Sequence, residues 1–238
     1  MLNPLIEAIF EVRFLPKLNF ATELLIAINQ VFSDHLSIIH ADGLQIPNDL
    51  KLQQNDFYYT PSYKINYSSF SLLVADGSIV ILKNALDGQY EGWNIFKELP
   101  LQILNILKSK NPLDQIQRYS LKYTNLIRND LSLNDLNFTL KIGETALQDD
   151  AKLALKTELH EDNFIIMTDI ASHVELRNIS DVTGKITDLN GTLLIIDVIN
   201  NSGIQNPNDA EHEFIRVLDI IHDKVDSIYR TIYNKRGC

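Results

Sequence analysis

The sequence predicts an α+β protein, an antiparallel sheet packed with about three long helices. Three observations carry this. Apolar residues alternate with period two in LIEAIFEVRF (5–14) and again in IQRYSLKYTNLI (116–127). An Asp76-Gly77 pair separates the apolar runs FSLLVA and SIVILK, which is the strongest short hairpin signal. A stripe of Phe214, Val217, Leu218, Ile221, Val225, Ile228 and Ile232 repeats at helical spacing over 209–233. Sequential hairpins with helices gathered on one face define the class.

In chain order, residues 5–14 form a half-buried strand, with Ile6, Ala8, Phe10, Val12 and Phe14 on one face and Glu7, Ile9, Glu11 and Arg13 on the other. Pro16 ends it. Residues 19–34 switch to helical spacing through Phe20, Leu24, Leu25, Ile28, Val31 and Phe32, with Asn19 placed as N-cap. Residues 41–56, with Gly43, Pro47 and several Asn and Asp, read as a loop. Residues 57–84 read as strands, with Asp76-Gly77 expected in a type I′ turn. Residues 92–109 read as a helix that Pro100 should kink or split. Strand candidates follow at 116–127, 138–143, 152–159, 164–171 and 192–199, with 172–178 continuing the meander and 200–208 a polar loop. Acids at the start of the last helix and Arg230, Lys235 and Arg236 near its end suit the helix dipole.

This order suggests two degenerate β-α-β-β-β-α-like halves, divided as residues 1–112 and 113–238, or else one continuous domain. The second half lacks a convincing helix after its first strand; LSLNDLN (131–137) is at most a remnant.

Hydrophobic residues make up 45% of the 238 and charged residues 22%, enough to bury a sizeable core. The net charge of −10 and the lack of a basic run argue against nucleic-acid binding, whose affinity comes largely from phosphate neutralisation. No apolar run approaches the length of a membrane span. The lone Cys238 supports neither an internal disulfide nor a cysteine-based metal site. A cytoplasmic protein without a cofactor is expected.

The polar residues of the two alternating strands are the main functional candidates. Glu7, Glu11 and Arg13 share one face of the first, and Arg118, Ser120, Lys122 and Thr124 one face of the other. If the strands are neighbours, acids and bases meet across the ladder. That surface is either a solvated sheet face or a groove for a ligand or peptide. Tyr123 and Asn125 join the candidate set although they lie on the face opposite Lys122, where Asn125 would need hydrogen-bond partners. His160, His173 and Glu175, with Asp169, are the weak candidates for a metal, meeting no ligand-spacing rule. Phosphate-cradling and nucleophile-elbow motifs are absent, and Asp149-Asp150 reads as a solvated turn.

Several short segments, PLIEAIFEVRF (4–14), Gly92-Trp93 with Phe96, QRYSLKYTNLI (117–127) and LDIIHDKVDSIY (218–229), together resemble the TIGR04255 family, a group scattered among bacteria and archaea. Ser120 stands where that family often has Gly, and Tyr229 where it often has Phe. The resemblance implies no reaction. The family's patchy distribution suggests a defence- or toxin-associated accessory role.

Three functions stay open. The first is a non-enzymatic interaction protein with a protein or small-molecule partner. The second is a hydrolase or nuclease-like enzyme using Glu7, Glu11, Arg13 and Lys122. The third is a structural subunit, such as a homodimer formed through the last helix or an edge strand.

Overall fold

The computed structural model describes residues 4–86, 90–110, 115–128, 136–137, 141–146, 152–179, 186–204 and 209–233. Cys238, Lys235, Arg236, Asp149-Asp150, the division at 112/113 and most of the 131–137 segment lie outside the described residues. So do residues 138–140 of the 138–143 strand candidate and 205–208 of the polar loop. The first half comprises β1 (Leu5–Phe14), α1 (Phe20–Val31), β2 (Ser37–His40), α2 (Asn48–Gln53), β3 (Tyr63–Asn66), β4 (Ser71–Val74), β5 (Ser78–Asn84), α3 (Trp93–Phe96) and α4 (Glu98–Lys110). The second comprises β6 (Ile116–Arg128), a short ladder of β7 (Lys141–Ile142) and β8 (Thr145–Ala146), then β9 (Ala154–Glu161), β10 (Phe164–Ile179), β11 (Ile186–Asn200) and α5 (Ala210–Ile232).

Among the described residues, nine strands form one antiparallel sheet in the order β2-β3-β4-β5-β1-β6-β11-β10-β9. Each half runs outward from its own first strand in reverse chain order, and the two first strands pair at the centre. The sheet therefore crosses from one half to the other without a break. The fold is α+β.

Helices cover one face. Phe10 and Tyr119 both pack on Phe214 of α5, and Phe14 packs edge-on against Phe20 of α1. Ala8, Phe10, Val12 and Phe14 of β1 are buried there, as the alternation requires. α1 and α4 pack on each other beneath the first half, while α5 packs on β11 and β6. Pro100 sits in the first turn of α4, and the helix splits at Lys97. A proline has no N–H to donate and its ring clashes with the carbonyl four residues back, at Phe96.

Four local expectations are corrected. Residues 41–56 are not simply loop, since Asn48–Gln53 is helical. Residues 57–59, expected as strand, complete a 3₁₀ turn over Asn55–Tyr59; Ser37–His40, for which nothing was expected, is an edge strand. Asp76-Gly77 does join β4 to β5, but neither residue has positive φ, so the turn is not type I′. Gly77 is needed for another reason: a Cβ there would lie 2.8 Å from the Tyr59 ring. Asn19 makes no side-chain cap; Asp76 Oδ1 accepts the Ala21 N–H at 2.9 Å instead. Its Oδ2 accepts from Lys51 at 2.8 Å, in an ion pair almost wholly removed from solvent.

Candidate ligand-binding face

On the other face of the central strands lie their charged side chains, with the 3₁₀ turn at 55–59 reaching one end through Tyr59 at Arg13. Register sets its content. Glu11 of β1 lies opposite Ser120 of β6, Arg13 opposite Arg118, and Ile9 opposite Lys122. Lys122 in turn lies opposite Asp197 of β11, and Asp169 of β10 lies opposite Ile195, one step along the same face. A strip of mixed charge thus crosses β1, β6, β11 and β10, set among half-buried Ile9, Val80, Met167 and Ile195.

Glu11 anchors the strip. It accepts from Arg13 Nε at 2.8 Å and from Arg118 Nη2 at 3.1 Å, and these side chains keep only 19–30% of their exposure. The Arg13 guanidinium lies 4.7 Å from the centre of the Tyr59 ring, a cation–π contact that fixes its plane.

Asp197 behaves differently. Burial pushes its carboxyl up to about 6, with Glu11 and Asp169 adding in the same direction and the Lys122 and Arg118 charges opposing. Its Oδ1 is sealed from solvent without a hydrogen-bond partner among the described residues, as are Asp169 Oδ1 and Arg118 Nε. Buried polar atoms are normally satisfied, so three orphans on one strip require explanation. Burial also raises the Glu7 carboxyl, against the charge of Lys122.

At one end of the strip, β10 and β11 continue as a two-stranded arm beyond the bulge between Ala171 and Val174, where His173 has φ 53°. Leu176, Arg177 and Leu189 of the arm face Glu7, Lys64 and Leu82 across a cleft of about 310 Å³.

The strip brings together Glu7, Glu11, Arg13, Arg118 and Lys122 from the expected set. Tyr123 and Asn125 fall on the helix-covered side. Tyr123 is buried, bonded to the Tyr90 hydroxyl at 2.7 Å and edge-on to His222, and Asn125 Nδ2 donates to the Leu194 carbonyl. Both hold the packing of that side together. His160 pairs with Glu158 near the β9–β10 turn, whereas His173 and Glu175 lie at and beyond the bulge, so the three do not converge. No cluster of three His, Cys, Asp or Glu side chains suited to a metal occurs among the described residues. Asp197 and Tyr59 were not expected here, and Asp169 was expected only as a weak metal candidate beside His160, His173 and Glu175. Asp197 did carry a signal, a single acid within the apolar run TLLIIDVI. No helix among the described residues is long and apolar enough to cross a membrane.

Comparison with protein-family models and with curated proteins gives no match.

Proposed function

We propose that the protein is a non-enzymatic interaction module whose open sheet face binds a partner segment carrying both charges, an extended peptide stretch of another protein. The supporting observation is the set of buried atoms that lack a partner among the described residues, Arg118 Nε, Asp197 Oδ1 and Asp169 Oδ1, on one mixed-charge strip. A partner's carboxylate meets the exposed part of the Arg118 guanidinium, and its ammonium or guanidinium meets the accessible parts of the two carboxylates, beside the atoms that are sealed. Ile9, Val80 and Ile195 supply apolar contact between the charges. The arm over the cleft gives an extended segment a wall to lie against. The chain's −10 charge favours approach by a basic partner.

Affinity capture from the protein's own cells tests this, using wild type, R118A and D197N with mass spectrometry of bound proteins and small molecules. A protein partner retained by wild type and lost by both variants is expected. Identical captures from all three would overturn the proposal, and loss of a small molecule alone would make the face a metabolite site. A second reading, a hydrolase with Asp197 as general base, is favoured by a carboxyl lifted to about 6. It requires hydrolytic turnover that D197N abolishes.

A further inference from the structure

Among the described residues, the outer strand of the second half has a free edge. β9 is last in the sheet, and among the described residues it pairs only with β10. It is long for an edge, Ala154–Glu161, whereas β2 at the opposite edge spans only Ser37–His40. Such an edge presents unpaired backbone N–H and C=O groups to any strand that can register with it.

Its two faces differ. Lys156 and Glu158 point to the open face, and both remain more than half exposed despite contacts to Asp169 and His160. Leu155 and Leu159 point to the helix side, where Leu159 is 57% exposed. There they border an apolar groove of about 290 Å³ shared with Ile166, Ile170, Ile228 and Ile232. Leu159 beside the groove offers apolar surface that a partner strand would cover.

We propose that two copies of this chain join through β9, antiparallel about a twofold axis at Thr157. Only registers pairing residues of like parity match apolar face to apolar face. An axis at Lys156 would oppose lysine to lysine, and one at Glu158 would oppose glutamate to glutamate. An axis at Thr157 sets Lys156 against Glu158 of the second copy, twice by symmetry. It also sets Leu155 against Leu159 of the second copy over the two grooves. Among the registers that overlap nearly all of β9 with its copy, charge complementarity therefore selects both the occupant and the register, and the two sheets become one. The contact is isologous and closes on itself, so it stops at a dimer.

The test is sedimentation or light scattering of the full chain over a concentration series. Wild type is expected to be dimeric. K156E or E158K alone places like charges across the axis twice and should weaken dimerisation roughly tenfold or more. The double variant K156E/E158K restores opposite charges and should restore the dimer. Both side chains are exposed, so at concentrations low enough for every protein to be monomeric the melting temperatures should match. A monomeric wild type would overturn the proposal, including one whose β9 edge pairs with a strand of another protein. So would a dimer indifferent to the single charge reversals, because its interface would lie elsewhere.

Discussion

Replacing Asp197 by Asn should stabilise the protein at neutral pH. The carboxyl moves from 3.8 to about 6 on folding, chiefly through burial. That difference corresponds to a penalty of about 3 kcal/mol on the charged form, at about 1.4 kcal/mol per tenfold change in proton affinity. The residue as a whole is only half-buried, so solvent screening reduces the figure to about 1–2 kcal/mol. The sign follows from linkage. The folded protein holds this proton more tightly than the unfolded chain, so its favourable contribution is complete below 3.8 and lost as pH rises through about 6. Asn keeps the shape and carries no charge to desolvate. Urea denaturation should therefore show D197N close to wild type near pH 4 and more stable by about 1–2 kcal/mol near pH 7.5. A D197N protein less stable than wild type near pH 7.5 would refute this. It would mean that attraction to Lys122 outweighs burial, and that the strip is a satisfied ion pair. Stability gained where binding is lost is the usual trade at a functional site.

Three further outcomes follow from buried groups. Asp76→Asn should cost about 3–5 kcal/mol in equilibrium unfolding, because it strands the Lys51 ammonium in the interior and weakens the bond to the α1 amide. A loss under 1 kcal/mol would show that water reaches the pair. Tyr119→Phe should leave stability within about 1 kcal/mol or raise it, because the buried Tyr119 hydroxyl has no partner among the described residues. His222 is stacked on Trp93 at 4.5 Å, and burial lowers its pKa below 6.5 despite Asp223, Asp226 and Asp219 nearby. Its contribution is present above 6.5 and lost as pH falls below it, so the acid-side loss measured by thermal melts should shrink in His222→Gln.

Local pattern revealed the elements whose burial is one-sided. The strand at 5–14 alternates because one face meets Phe214 and Phe20 and the other stays open, and α5 declares itself by an uninterrupted stripe. The ionic partnership of Glu11 with Arg118 was legible as soon as β1 and β6 were taken as neighbours. What stayed hidden depends on long-range placement. Asp76 looks like turn chemistry in the sequence, but its partners are Lys51 and the α1 amide, far off in the chain. Asp197 comes to the strip only because β11 returns beside β6, a crossover that no local period encodes. Tyr123 and Asn125 were legible as residues on the face opposite Lys122. Helical cover of that face was legible too, but the partners that hold Tyr123 under it, the Tyr90 hydroxyl and His222 of α5, were not.

The most direct test of the open face is selection from a displayed library of mixed-charge peptides, run in parallel on wild type and R118A. Wild type should enrich a shared pattern pairing an acid with a base, and R118A should fail to enrich it while melting normally. Equal enrichment by both proteins, or none by wild type, would contradict a binding role for the strip.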